Sequence, residues 1–171
     1  MSRRYCADMS SAATPELRGV WSVRLAEERD ARAVAALARE FADANPSASA
    51  SAGSDLARAT EAAESVIANG GVEVLVAESD GGVGGVLTMV DMPSLVHGGR
   101  VSTFIDLLVV SNGVRRRGVG TTLVQVALER ARARGAYKVS LYFHDRNDPA
   151  RQLYASMGLR PTGEAHAMYL T

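Results

Sequence analysis

Apolar residues recur along the chain at two spacings, one typical of strands and one typical of helices. Short apolar or alternating runs, bounded by polar and glycine-containing turns, indicate strands. The strongest run ends in I-D-L-L-V-V, and Ser79–Gly82 between two other runs is a hairpin signal. Strands are predicted over Val20–Leu25, Val72–Glu78, Val83–Val90, Val101–Val110 and Lys138–His144.

Apolar positions three or four residues apart predict helices between these strands. Asp55 is placed to cap the second helix, and Asp148–Pro149 opens the last one, because proline suits a first helical turn. Gly135 and Gly158 are placed to end the last two helices. Helices are predicted over Glu27–Ala44 and Leu56–Ala68, from Val119 up to Gly135, and from Asp148 up to Gly158.

The order of these elements predicts an α/β domain with a mixed sheet covered by helices. A further strand or strand pair is predicted for Arg160–Thr171. Residues 1–19 are rich in Ser, Ala and Arg without a sustained period, which predicts a flexible tail. Residues 20–171 are therefore expected to form a single domain, with a flexible loop at Asn45–Ser54.

Composition is that of a globular protein and argues against several functions. Of the 171 residues 47% are hydrophobic, and 19 Lys or Arg balance 19 Asp or Glu. Zero net charge argues against nucleic acid as a partner, because such domains usually carry a basic excess. A single cysteine, Cys6, forms neither a disulfide framework nor a cysteine-based metal site, so no metal is expected. The chain lacks a long apolar run and a signal-peptide pattern, so a cytoplasmic protein without membrane contact is expected.

The segment V-R-R-R-G-V-G-T-T, residues 114–122, joins the long strand to the third helix and has properties of an anion site. It is not a P-loop, because Val119 replaces the required lysine, and not a Rossmann turn, because Leu123 replaces the third glycine. Gly118 and Gly120 still leave the backbone accessible, and the following helix presents unpaired N–H groups. The pattern fits a pyrophosphate. The alternative is a flexible, glycine-containing turn that binds no ligand and whose arginines are only solvated.

Two segments carry a family resemblance. R-R-R-G-V-G, Arg115–Gly120, resembles the [Q/R]-x-x-G-x-[G/A] signature of the GNAT superfamily of N-acetyltransferases, and I-D-L-L-V-V before it resembles that superfamily's central strand. N-D-P-A-R-Q-L-Y-A-S-M-G-L, residues 147–159, resembles its N-x-x-A-x-x-L-Y-x-x-x-G-F segment, with Leu159 in place of Phe. The resemblance covers roughly Val20 to the C-terminus. It implies a mixed, mostly antiparallel central sheet of about six or seven strands, flanked by about four helices, with splayed central strands.

The resemblance implies acetyl-CoA as the cosubstrate. Its pyrophosphate would lie against backbone N–H groups of the turn, with some of the three arginine side chains reaching the phosphates and at least one only packing. The pantetheine arm would pair with the backbone of Leu108–Val110, opposite Leu141–Phe143, and would hydrogen-bond Asn147. The residues implied in cosubstrate binding are Leu108, Val109, Val110, Arg115, Arg116, Arg117, Gly118, Val119, Gly120, Thr121, Asn147 and Tyr154.

Acetyl transfer to an amine needs a base for the ammonium, whose pKa is about 10, a donor to the thioester oxygen, and an acid for the leaving thiolate. Tyr154 matches the family's general-acid position, and a tyrosine that only packs is the alternative. A backbone N–H at a strand bulge, that of Leu108 or Val109, would polarise the carbonyl.

Asp106 is the first candidate for the general base, because it lies where many relatives have a glutamate. Strand alternation would place it on one face with Phe104, Leu108 and Val110, where burial would make it a stronger proton acceptor. Aspartate is one methylene shorter than glutamate, so action through a water is expected. A structural or substrate-binding carboxylate is the alternative.

Two histidines are further candidates, and the choice between them, Asp106 and water stays open. His97 lies in the loop Met92–Arg100, which could border the acceptor pocket, and His144 ends the strand beside the pantetheine groove. His166 receives no role. In relatives, the acceptor pocket is formed by the first two helices, their connecting loop and the C-terminal strands.

The expected function is transfer of an acetyl group to a primary amine of a small molecule or of a peptide or protein N-terminus, by direct attack in a ternary complex. The connecting loop Asn45–Ser54 has no acidic cluster that would indicate a polycationic acceptor. A homodimer is left open, because dimers are common among relatives. The alternative function is a non-catalytic coenzyme-A-binding regulatory or sensor module, which the presence of Asp106, Asn147 and Tyr154 disfavours.

Overall fold

Five strands and four α-helices follow the apolar pattern in the computed structural model, which describes residues 21–45, 55–144 and 146–163. Single 3-10 turns lie at Glu28–Asp30 and Asn112–Val114. The predicted tail (1–19), most of the predicted loop (46–54), Cys6, His166 and residues 164–171 lie outside the described residues. The strands are β1 (Ser22–Leu25), β2 (Val72–Ser79), β3 (Gly82–Pro93), β4 (Val101–Val110) and β5 (Lys138–Leu141). The α-helices are α1 (Ala31–Ala44), α2 (Leu56–Ala68), α3 (Val119–Ala133) and α4 (Asp148–Ser156).

The strands form one sheet in the order β1-β2-β3-β4-β5. The first three neighbouring pairs are antiparallel, whereas β4 and β5 run parallel and are connected through α3. The predicted mixed, mostly antiparallel sheet with four helices is therefore confirmed. The described residues contribute five strands rather than six or seven, and residues 160–163 of the predicted terminal strand are not in a strand.

The two faces of the sheet carry separate cores, because strand side chains alternate between the faces. Helices α1 and α2 cover the face that includes Val76, and helices α3 and α4 cover the face that includes Leu87. A β-carbon at Gly85 would lie 2.8 Å from Val119 Cγ1. Only glycine therefore allows the start of α3 to lie this close to β3.

Strand β5 pairs with only the first half of β4. Their register runs from Ser102 opposite Lys138 to Ile105 opposite Leu141 and then stops. The predicted continuation of β5 to His144 is therefore wrong, because the chain has diverged from β4 after Leu141. The expected splay of the central strands is confirmed, and one edge of β4 has no paired strand from residue 106 onward among the described residues.

A bulge interrupts β4 at Asp106. Ile105 lies opposite Met89 and Leu107 lies opposite Thr88, so Asp106 has no partner on β3. One inserted residue reverses the order in which the following side chains alternate between the two faces of the sheet. The bulge therefore decides which face each residue at the end of β4 occupies.

An ion-pair network ties β1 to β2 and to the start of α1. Arg24 donates through Nη1 and Nη2 to the Asp30 carboxylate at 2.6 and 3.0 Å, and through Nε to Glu78 at 2.7 Å. Asp30 is 5% exposed and also accepts from the Glu27 amide at 2.8 Å. The hydrogen bond from Arg24 is the main cause that lowers the pKa of Asp30. The network holds α1 against the sheet, where α1 forms one wall of the candidate site.

Candidate functional site

The turn between β4 and α3 presents backbone amides rather than side chains. Gly118 is the N-cap of α3 and has a φ of 85°, a left-handed conformation that favours glycine. No side chain caps this helix, and the N–H groups of Val119, Gly120 and Thr121 have no acceptor among the described residues. Free amides and the helix dipole favour an anion at such a helix start. The residues of the turn therefore fit a diphosphate.

The three arginines of the turn have different environments. Arg115 Nε donates to the Val110 carbonyl at 3.0 Å, and its Nη2 lies 3.9 Å from the Glu40 carboxylate of α1. Arg115 thus positions the turn against β4 and α1. Arg116, which has a φ of 62°, and Arg117 are exposed and have no partner in the described part of the chain. These two side chains are the ones free to reach an anion.

Three separate segments meet around Gly120. A β-carbon at Gly120 would lie 3.5 Å from Leu153 Cδ2 of α4 and 3.5 Å from Val110 Cγ2 of β4. The start of α3 thus lies beside the end of β4 and beside α4. We call the junction of the turn before α3 with Val110, Gly120 and Leu153 the α3 cleft. The structure therefore brings the predicted anion turn, the edge of β4 and the predicted α4 residues together at one place.

The end of β4 borders the α3 cleft with an unpaired backbone edge. The side chains of Leu108 and Val110 pack on the α3–α4 core, and that of Val109 packs on the α1–α2 core. Phe143, across the gap from this edge, packs on the α3–α4 core. The Val110 carbonyl already accepts from Arg115, so an extended ligand along this edge would share that acceptor.

Helix α4 contributes Tyr154 and Asn147. Tyr154 is 7% exposed, its ring centroid lies 5.4 Å from that of Phe143, and its hydroxyl has no hydrogen-bond partner in the described ranges. Burial raises the pKa of Tyr154 to about 12, so the phenol keeps its proton at neutral pH. Asn147 is the N-cap of α4, where its Oδ1 accepts from the Ala150 amide at 3.1 Å. Its Nδ2 remains available to donate.

The position of Asp106 differs from the sequence expectation. The bulge lies at Asp106 itself and not at Leu108 or Val109. Asp106 lies on the α1–α2 side of the sheet with Phe104, as expected, whereas Leu108 and Val110, which follow the bulge, lie on the opposite side. The expectation of one shared face for all of them is wrong, because the bulge reverses the alternation. Asp106 is also exposed, so its expected burial is wrong.

Asp106 lines a cavity of about 640 Å³ between α1 and α2 on one side and β3 and β4 on the other, which we call the α1–α2 cavity. Its lining also includes Arg39, Arg58 and Thr88. Thr88 is 9% exposed, and its Oγ1 is buried without a hydrogen-bond partner in the described part of the chain. The helices line the cavity largely with small side chains, which leave its volume open: Ala35, Ala38, Ala59, Ala62 and Ala63.

Neither His97 nor His144 lines this cavity. The His97 ring centroid lies 4.2 Å from that of Tyr137, just before β5, at the end of the sheet away from the splay. The expected position of His97 beside an acceptor pocket is wrong for this cavity. His144 is exposed beyond the end of β5, and its Nδ1 accepts from the Arg146 amide at 3.2 Å.

Sequence reasoning did not identify Arg39, Arg58 or Thr88 as site residues. A helical projection offers a signal for the two arginines, because Arg39 follows Ala35 by one turn and Arg58 precedes Ala62 by one turn. Thr88 has no such signal. Its place beside the Asp106 bulge depends on the pairing of β3 with β4.

The site combines a backbone anion site, a protonated phenol and, across the sheet, a carboxylate. Such groups can hold a phosphorylated ligand and move protons at a reacting centre. Among the described residues, no group of three or more His, Cys, Asp or Glu is arranged to hold a metal ion. No helix in the described ranges is both long and apolar enough to cross a membrane.

Comparison with known proteins identifies a family over most of the chain. The sequence model of the Acetyltransferase (GNAT) family matches residues 31–159. A mycothiol acetyltransferase from Beutenbergia cavernae is 42% identical over 65 residues, which are 38% of this chain. The aligned segment is 22% of that protein, so the chain spans about a fifth of the curated relative that it matches.

Solved structures share the fold along their whole length. A transcriptional regulator from Bacillus halodurans C-125 superimposes with a TM-score of 0.76 at 22% identity, covering 88% of this chain and 99% of that chain. A ribosomal-protein-alanine N-acetyltransferase from Brucella melitensis biovar Abortus 2308 superimposes with a TM-score of 0.73 at 22% identity, covering 89% and 100%. At such identities the likeness concerns the fold.

Proposed function

The chain belongs to the Acetyltransferase (GNAT) family, and from this premise we propose that it transfers an acetyl group from acetyl-CoA to a primary amine. The acceptor amine belongs to a small molecule or to a peptide or protein N-terminus, and it attacks directly in a ternary complex. One observation carries the proposal: the uncapped start of α3, with three free amides, opens onto the gap where β4 and β5 diverge.

The α3 cleft holds the cosubstrate in this proposal. The amides of Val119, Gly120 and Thr121 bind the pyrophosphate, and Arg116 and Arg117 add positive charge beside it. The remaining cosubstrate contacts are the backbone edge of Leu108, Val109 and Val110, the turn residues Arg115 and Gly118, Asn147 Nδ2 and the Tyr154 ring.

Acetyl-CoA supplies the thioester. The amine nitrogen bonds to the acetyl carbon as the carbon–sulfur bond breaks. The nitrogen loses one proton when it becomes an amide, and the sulfur gains one proton when it leaves as a thiol. Asp106, acting through a water, removes the proton of the ammonium, and it lies in the cavity on the side from which the amine enters. A backbone N–H of Leu108 or Val109 donates to the carbonyl oxygen. The Tyr154 phenol, which holds its proton, donates to the departing sulfur.

A thermal-shift measurement tests cosubstrate binding. A ligand at 100 times its dissociation constant stabilises the folded state by about 2.7 kcal/mol, so acetyl-CoA should raise Tm clearly. The shift at a fixed sub-saturating acetyl-CoA concentration should be smaller for Arg116→Gln and Arg117→Gln. Arg32→Gln, on the exposed face of α1 and away from the turn, is the matched control and should keep the wild-type shift.

Release of free thiol over a panel of primary amines tests catalysis. We expect amine-dependent release above the rate of acetyl-CoA hydrolysis. Binding of acetyl-CoA without release for any amine would favour a regulatory coenzyme-A-binding module instead. Absence of both binding and release would overturn the proposed function.

A further inference from the structure

The α1–α2 cavity contains charged and polar groups that the proposed acetyl transfer does not use. The chemistry needs only a proton acceptor on this side, and Asp106 supplies it. Arg39 on α1, Arg58 on α2 and Thr88 on β3 also line the cavity. These three residues come from three separate elements, so the fold and not a local motif brings them together.

Arg39 and Arg58 differ from the arginines that stabilise the fold. Arg24 is paired with Asp30, and Arg130 and Arg134 are paired with Glu73. Neither Arg39 nor Arg58 has an ion pair or side-chain hydrogen bond within the described residues. Arg39 is nevertheless partly buried at the cavity wall, where its planar fork suits a bidentate oxyanion.

Thr88 is a second, independent sign of a bound ligand. Its Oγ1 is buried, has no partner in the described ranges and belongs to a residue that lines the cavity. Buried hydroxyls are normally hydrogen-bonded, so a ligand in the cavity would satisfy this one. Thr88 lies opposite Leu107, next to the bulge at Asp106. A hydroxyl and a carboxylate thus lie together, and both can accept hydrogen bonds from an ammonium group.

We propose that the acceptor is a small zwitterion, an amine that also carries a carboxylate and has an apolar body, such as an amino acid with an apolar side chain. This inference rests on the proposed function. The ammonium lies at Asp106 and Thr88, the carboxylate is bound by Arg39 and Arg58, and the apolar body lies against the alanine-rich wall. Two arginines against one aspartate leave the lining with a charge of +1, which disfavours polycationic acceptors.

Matched acceptors test the carboxylate. Leucine, methionine and phenylalanine are each compared with their α-carboxamides, which keep the amine and the side chain and lose only the negative charge. Thiol release with saturating acetyl-CoA gives kcat/KM for each compound. The preference is the ratio of kcat/KM for the acid to that for the amide. Because this ratio also contains the difference in amine basicity, the decisive quantity is its change on mutation.

Arg39→Gln should lower the preference for the acid at least about tenfold, because loss of a charged hydrogen bond costs about that factor or more. Arg58→Gln should act in the same direction. The matched control is Arg32→Gln, an exposed arginine of the same helix that does not line the cavity, and it should leave the preference unchanged. A preference within threefold of wild type in both Arg39→Gln and Arg58→Gln overturns the inference.

Failure of this inference is distinguishable from failure of the proposed function. Equal use of acids and amides by wild type and variants overturns the zwitterion and leaves acetyl transfer intact. No turnover of either member of any pair also overturns it, and the thermal shift with acetyl-CoA then shows separately whether cosubstrate binding survives. Thr88→Val gives a further readout: it should raise KM for the acid and the amide alike, because Thr88 contacts the ammonium that both share.

Discussion

The α3 cleft and the α1–α2 cavity lie on opposite sides of one sheet. Backbone groups form most of the first, and side chains form the second. The cleft consists largely of backbone: three consecutive amides, a left-handed Gly118 and the unpaired edge of β4. The cavity consists of side chains from α1, α2, β3 and β4. A backbone site requires a particular local sequence, whereas a side-chain site can be assembled from distant positions. One site is therefore visible as a motif and the other is not.

Asp106 links the two regions. It belongs to β4 and faces the α1–α2 cavity, whereas the bulge turns the side chains of Leu108 and Val110 to the opposite side, where they border the α3 cleft. A base on one side and an acid on the other would let an amine and a thioester meet between them. Substitutions that act on only one region should separate acid catalysis from acceptor activation.

Loss of the acid should have the largest effect. Tyr154→Phe should lower kcat about 1,000-fold, the middle of the range for general acid catalysis, with little change in acetyl-CoA affinity. The ring and its contact with Phe143 remain, so the cleft keeps its shape. Steady-state kinetics and the acetyl-CoA thermal shift measure the two quantities. Tyr137→Phe, whose ring lies against His97, is the matched control and should keep wild-type kcat. Wild-type kcat in Tyr154→Phe would contradict the acid role.

Loss of the base should change only the kinetic constants of the acceptor and not those of acetyl-CoA. Asp106→Asn should lower kcat/KM for the acceptor about 100-fold at neutral pH, the low end for general base catalysis, and leave KM for acetyl-CoA unchanged. The defect should shrink near pH 10, where the amine has already lost its proton. A pH series of initial rates measures this recovery. A defect of the same size at every pH would indicate a structural or binding role for Asp106.

A change in the ion pair between Arg24 and Asp30 should have the smallest effect of the three, and it should not distinguish the α3 cleft from the α1–α2 cavity. The pKa of Asp30 is lowered, mainly by the hydrogen bond from Arg24, so its stabilisation is present above the unfolded value of 3.8 and is lost as pH falls through the lower folded value. Asp30→Asn should cost about 1.5 kcal/mol of unfolding free energy at pH 7, roughly tenfold in the folding equilibrium.

Urea denaturation from pH 7 to pH 3 measures the effect of Asp30→Asn. The difference between wild type and variant should begin to narrow below about pH 4, because the carboxylate of the unfolded wild type then binds a proton while that of the folded protein is still ionised. Turnover per folded molecule should stay at the wild-type level. A difference that does not depend on pH would mean that Asp30 acts through packing and not through its charge.

Local patterns predicted the elements well, and the errors occur where strands depend on each other. The bounds of α2 and β4 agree with the apolar periodicity. Alternating apolar residues predicted β5 as far as His144, but the strand stops at Leu141 because β4 diverges there. The expectation that Leu108 and Val110 share a face with Asp106 was wrong for a related reason, since a bulge depends on the pairing of two strands and cannot be read from one of them.

The sequence by itself determined the backbone features of this protein: a glycine-capped turn, a helix without a capping side chain, and the apolar spacing that makes the strands and helices. These depend on the conformational preferences of neighbouring residues, which can be read locally. Only the tertiary structure decided that Leu108 and Val110 face away from Asp106, that Arg115 holds the turn against β4, and that Arg39, Arg58 and Thr88 share one cavity. These depend on strand register and helix packing, which join residues far apart in the chain.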